Sequence, residues 1–116
     1  MPIDPNRETW KPGMPWEKAL DDIDYITGLG REMGGAERIE RQHKGGRYTV
    51  RERVDKILDS GSFMEYGPMI GAAEYDEEGN LIEFSPGAYV MGLGEIDGRP
   101  VAIGGDDFTI SGGSPH

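Results

Sequence analysis

Apolar positions follow two different rhythms along this chain. Up to Gly61 they recur at helical spacing, and beyond it they gather in short runs or alternate, as strands do. Trp16, Ala19, Leu20, Ile23, Ile26 and Met33 predict a helix entered at Pro15, a residue suited to a first helical turn. Gly28 and Gly30 weaken its second half, and Gly34-Gly35 ends it. Ala36–Lys44 reads as a short charged helix with one clear apolar residue, Ile39, stopped by Gly45-Gly46. Thr49–Asp59 is the best-defined helix. Thr49 with Glu52 forms a capping box, and Val50, Val54, Ile57 and Leu58 make one apolar stripe with Arg51, Arg53 and Lys56 off it. Phe63 is placed to fold back on the core.

The strand half comes next. Phe63–Tyr66, Met69–Tyr75, Leu81–Phe84, Ala88–Ile96 and Arg99–Ile103 read as strands. Asp76–Asn80 forms an acidic turn, Ser85-Pro86-Gly87 another, and Asp97-Gly98 a two-residue hairpin turn. Gly92 and Gly94 predict a bulge or a close backbone contact. Val101, Ala102 and Ile103 are unbroken apolar, as in a strand covered on both faces. Gly104-Gly105 then opens a glycine-rich stretch holding Asp106, Asp107, Phe108 and Thr109 before Gly112-Gly113. Helices followed by a strand meander define an α+β chain, or the front of a larger α/β unit. Residues 1–35 are an extended arm plus helix, anchored by ordinary packing of Trp10 and Trp16, and 36–116 form the main unit.

Composition narrows the classes. Apolar residues are 35% of the chain and 19 residues are glycine, a thin supply for a self-sufficient core. Absence of cysteine removes disulfides and thiolate chemistry. No apolar run is long enough to span a membrane, so a soluble, cytoplasmic protein is expected. The net charge of −10 argues against nucleic acid as a partner. It is uneven: residues 57–116 hold one base and eleven acids, whereas 31–56 hold eight bases and five acids.

Candidate chemistry is sparse. The acidic run at 76–78 lacks the ligand spacing of a calcium loop, and no metal site is expected. His43 has no second histidine at ligand spacing and reads as a partly exposed helix-end residue. Asp106-Asp107 reads as a cap or turn rather than an acid–base pair. Neither glycine pair matches a phosphate loop, and no histidine base is placed for Ser111 or Ser114. On the residues alone no catalytic group can be named.

Two longer blocks add a resemblance. Glu37–Glu65 contains R-x-x-x-Q-H-x-G-G-R-x-T-x-R-E-R followed by L-D-S-G-S-F-M-E. Pro86–Ser114 contains G-L-G-E-I-D-G-R and then D-F-T-I-S-G-G-S. In order and separation these resemble the opening of the carboxyltransferase (β) subunit of biotin-dependent acyl-CoA carboxylases of the propionyl-CoA type. Departures are Gly104-Gly105-Asp106 before D-F-T, where the family is more apolar, and Ala88, where it is usually polar.

The resemblance implies the start of a crotonase-like superhelix of ββα units. It implies transfer of a carboxyl group from carboxybiotin to an acyl-CoA, with backbone amides stabilising the enolate. Gly112, Gly113 and Ser114 match the motif beside the acyl-CoA cleft. Arg47, Arg51 and Arg53 match its basic run, either structural or near the CoA phosphates, so the resemblance implies Arg47 and Arg51 as binding residues of the cleft together with those three. The implied cofactor is biotin carried by another domain or subunit, since no A-M-K-M-like attachment stretch is present. The implied partners are the remainder of the subunit or a homologous chain, a biotin carrier protein and acyl-CoA, in an oligomer. Two readings follow: an N-terminal piece or split subunit, inactive alone, or a non-enzymatic module that docks on a larger carboxylase. Both expect an exposed sheet edge at Arg99–Ile103.

Overall fold

The computed structural model describes residues 3–114. Met1 and Pro2 of the expected arm, and Pro115 and His116, lie outside the described residues. Three helices come first: α1 (Trp16–Arg31), α2 (Ala36–Lys44) and α3 (Val50–Ile57). Strands β1 (Met64–Tyr66), β2 (Gly71–Tyr75), β3 (Leu81–Pro86), β4 (Tyr89–Ile96) and β5 (Arg99–Asp106) follow, then a 3-10 turn at Ser111–Gly113. The α+β order is as the sequence predicts. Strands β1, β4 and β5 form one antiparallel sheet in that spatial order, and β2 pairs with β3 as a separate hairpin. Strand β5 is therefore an edge, as expected.

The capping box at α3 is fully formed. Thr49 Oγ1 accepts from the Glu52 amide and Glu52 Oε1 accepts from the Thr49 amide. Val50, Val54 and Leu58 turn inward, while Ile57 at the end of the stripe stays 54% exposed. The core has two centres. Leu29, Leu81 and Phe84 pack with Tyr25 and Ile26, joining the end of α1 to the β2–β3 hairpin. Met33, Val50 and Val90 pack with Ile39 and Phe63, joining the α1–α2 turn, α2 and α3 to β4.

Of the predicted stripe only Ile26 and, past the end of α1, Met33 pack into the core. Trp16, Leu20 and Ile23 are exposed, and Trp16 rests edge-on against Trp10 at 6.1 Å. The buried side is Tyr25, Ile26 and Leu29, with buried Asp22 beside it. Periodicity finds a helix but cannot say which of two overlapping stripes a neighbour covers. Asp22 explains the choice: Arg7 Nη1, Lys18 Nζ and the Trp10 amide all donate to its carboxylate, at 2.7, 2.9 and 2.6 Å. Burial pushes that carboxyl up, but the hydrogen bonds from Lys18, Trp10 and Arg7 outweigh it and hold it below the usual range. The arm is fixed again at the hairpin, where Thr9 Oγ1 accepts from the Leu81 amide and Lys11 donates to Asn80.

Two expectations for β5 are corrected. Gly104 and Gly105 belong to β5, paired with Met91 and Val90, and are not yet loop. They are glycine because a Cβ on Gly105 would lie 2.8 Å from Val50 Cγ2 and one on Gly104 would strike the Tyr89 ring. Strand β5 is also covered on one face only: Val101 and Ile103 are half-buried and Ala102 is exposed. Strand β4 runs regularly through Gly92 and Gly94, which give close approach to Phe63 and Leu58, and the bulge falls instead between Glu74 and Tyr75.

Candidate functional site

Where β5 ends, a sharp turn is held from within. The Asp107 amide donates to the Ala88 carbonyl at 2.7 Å, and its carboxylate Oδ1 accepts from both the amide and the hydroxyl of Thr109. Thr109 Oγ1 in turn accepts from the Gly34 amide at 2.9 Å, tying this turn to the α1–α2 corner. Asp107 is 1% exposed whereas Asp106 is exposed, so the two carboxylates do not act as a facing pair. Beyond the turn, Ser111, Gly112 and Gly113 all adopt positive φ, a path that glycine follows most readily.

This turn and α3 enclose a cleft of about 530 Å³. Arg47, Tyr48 and Arg53 line one side, and Phe108, Gly112 and Gly113 the other. The Arg47 guanidinium lies over the Phe108 ring at 5.0 Å from its centroid, and Lys56 lies over Tyr48 at 4.6 Å. Neither Arg47 nor Arg53 has an ion-pair partner among the described residues. The cleft thus offers two unneutralised guanidiniums, aromatic faces and exposed glycine backbone, a combination suited to an anionic, partly planar ligand.

Of the residues singled out in the sequence, Arg47, Arg53, Asp106, Asp107, Gly112 and Gly113 meet at this cleft. Ser114 follows directly, exposed, its amide donating to the Ser111 carbonyl. Arg51 does not line it: both its Nη atoms are held by Glu65. Tyr48 and Phe108 were not marked by sequence reasoning. No local pattern marks them, because each is placed by contacts made in the fold: Phe108 under Arg47 and Tyr48 under Lys56. His43, half exposed, contacts Glu52 across the end of α2. Among the described residues no cluster of three or more His, Asp or Glu side chains is placed to hold a metal ion. Among the described residues no helix is long and apolar enough to cross a membrane.

A second, more apolar groove of about 850 Å³ lies between the sheet and the β2–β3 hairpin, lined in part by Met33, Ile70, Met91 and Ile110. The two spaces share Asp106 and Gly113.

Comparison with known proteins gives this geometry its context. Residues 41–116 match the carboxyl transferase domain, and the chain belongs to that family. It is 41% identical over 83 residues to a mitochondrial propionyl-CoA carboxylase beta chain of Mus musculus, covering 70% of this chain and 15% of that one. With the propionyl-CoA carboxylase beta chain of Cereibacter sphaeroides the identity is 36% over 95 residues, 82% of this chain and 19% of the relative. A solved transcarboxylase 12S, described as a hexamer assembly with methylmalonyl-coenzyme A and methylmalonic acid bound, superposes with a TM-score of 0.72. There the identity is 31%, over 88% of this chain and 20% of that one. The chain therefore spans a fifth or less of the length of these relatives. The fold is that of the opening of a carboxyltransferase, in which helices lead into small antiparallel strands.

Proposed function

We propose that this chain provides the N-terminal part of a biotin-dependent carboxyltransferase, which moves a carboxyl group from carboxybiotin to an acyl-CoA. The observation that carries this reading is the family match over residues 41–116, joined to a structural likeness at 31% identity. The cleft between α3 and the Asp107–Gly113 turn is this chain's share of the acyl-CoA site. Arg47 and Arg53 face the phosphates of the ligand, Phe108 and Tyr48 offer ring faces to its base, and Gly112, Gly113 and Ser114 form the backbone wall. Arg51 contributes by holding β1 against α3 and not by touching the ligand.

The chemistry itself needs free amides, and two of those in this turn are already engaged. The Gly113 amide donates to Ile110 and the Ser114 amide to Ser111. Neither is free to donate to an enolate oxygen or the ureido oxygen of biotin, so the amides of Gly113 and Ser114 do not hold the cofactor. Carboxybiotin is brought by a carrier on another domain or subunit, and the chain alone catalyses nothing.

The test is the mass and subunit composition of the native complex, followed by a carboxyl-transfer assay on that complex and on the isolated chain. The expected result is association with a carboxyltransferase polypeptide and a biotin carrier, activity in the complex and none in the chain alone. A lone 12.7 kDa species, folded and indifferent to acyl-CoA, overturns the reading.

A further inference from the structure

The three-stranded sheet has one covered and one bare face. Val90, Gly92 and Gly94 of β4 point into the protein, toward α3 and Phe63, and are buried. The alternate positions Tyr89, Met91 and Leu93 are 55, 39 and 42% exposed. Across the ladder Met64 stands opposite Leu93 and Tyr66 opposite Met91 on β1, at 61 and 50% exposure. Ala102 of β5 continues the row beside Leu93. Single exposed apolar residues are ordinary, but a block crossing three strands calls for a cover. Met91 and Tyr89 also line the 850 Å³ groove, so the bare face runs on into an apolar trough beside Ile70, Ile110 and Met33. Strand β5 carries the same message in its sequence, since Val101-Ala102-Ile103 is composed for burial on both sides and only one is covered.

We infer that this face seats an apolar layer with a basic rim, supplied by the part of a carboxyltransferase polypeptide that this chain does not span. The inference rests on the proposed function. Two observations choose this occupant. The matched relatives carry four fifths or more of their length outside the region shared with this chain. The charged residues of the face, Glu95 and Asp106, are both acidic and sit at opposite ends of it. A second copy laid face to face would set these carboxylates against their like.

The experiment places photoreactive benzoylphenylalanine at Leu93 of the full chain, and in a control chain at Glu78 on the hairpin tip. Each is irradiated in extracts of the cells that make the protein, and the joined peptides are sequenced. Expected at Leu93 are peptides of a carboxyltransferase polypeptide from outside the region shared with this chain, with loss of the joined product on Met91→Lys. Met91→Lys is expected to leave the far-ultraviolet circular dichroism unchanged, because that side chain serves no contact within the chain's two core centres. Joining to a second copy of the chain, or equal yields at positions 93 and 78, overturns the inference. Acyl-CoA titration on the same preparation separates the two claims. Binding without joining at Leu93 removes the seat and leaves the function, and joining without binding does the reverse.

Discussion

Arg51 and Glu65 meet through two parallel hydrogen bonds, Nη1 to Oε2 at 2.9 Å and Nη2 to Oε1 at 2.8 Å. The pair joins α3 to β1 with both side chains mostly buried, and Arg51 Nε is buried without a partner. Removing one member strands the other, so Glu65→Ala is expected to destabilise the chain by about 2–3 kcal/mol. Arg51→Lys keeps the charge but loses the fork, and should recover only part of that stability. Urea denaturation midpoints check both.

Arg47, four residues earlier, should behave in the opposite way. Its guanidinium rests over an exposed Phe108 ring and has no ion-pair partner among the described residues. Arg47→Ala is expected to shift stability by less than about 1 kcal/mol. Under the proposed function it should weaken acyl-CoA binding by about tenfold, the worth of one phosphate contact of ~1.4 kcal/mol. Calorimetric titration of the native complex with acyl-CoA measures this. Equal losses of stability and affinity would place Arg47 with Arg51 as a structural residue.

The cap of α3 gives a pH dependence with a definite sign. The hydrogen bond from His43 and that from the Thr49 amide hold the Glu52 carboxyl down to about 2 from its usual 4.5. A carboxylate lowered on folding stabilises the folded state above its unfolded value and loses that contribution as pH falls through the folded one. Helix α3 should therefore weaken as pH drops from about 4.5 toward 2. Glu52→Gln should flatten this dependence of the denaturation midpoint, and a midpoint indifferent to Glu52→Gln across that window would contradict the assignment.

How much of this was legible in the sequence depends on whether the cause was local. The α3 cap and the Asp97-Gly98 turn were, because each is dictated by neighbouring residues: Thr49 with Glu52, and two positions at φ 50° and 76°. The exposed stripe of α1 was not, because its alternative face is chosen by Asp22 gathering Arg7 and Trp10 from the arm, 15 and 12 residues away. The strand role of Gly104-Gly105 was hidden for the same reason, since Val50 and Tyr89 decide it. At the candidate site, the motif residues Arg47, Gly112 and Gly113 were found by resemblance. The division of labour between Arg51 and Arg53 emerged only once Glu65 was in place.

Thr109 is the point where the candidate site depends on the helical half. Its hydroxyl donates to Asp107 Oδ1 at 2.6 Å and accepts from the Gly34 amide at 2.9 Å, with the residue 5% exposed. Thr109→Val keeps the shape and leaves a buried carboxylate oxygen and an amide each short of a partner, at a cost of about 2–3 kcal/mol. Thr109→Ser retains both hydrogen bonds and loses one methyl, about 1 kcal/mol. Because Asp107 and Gly34 also shape the turn that carries Gly112 and Gly113, the valine variant should speed hydrogen exchange of the Gly34 and Thr109 amides more than that of the Val54 amide in α3. Equal acceleration at all three would mean that Thr109 supports the fold as a whole. A confined effect would mark it as the latch that sets the cleft wall.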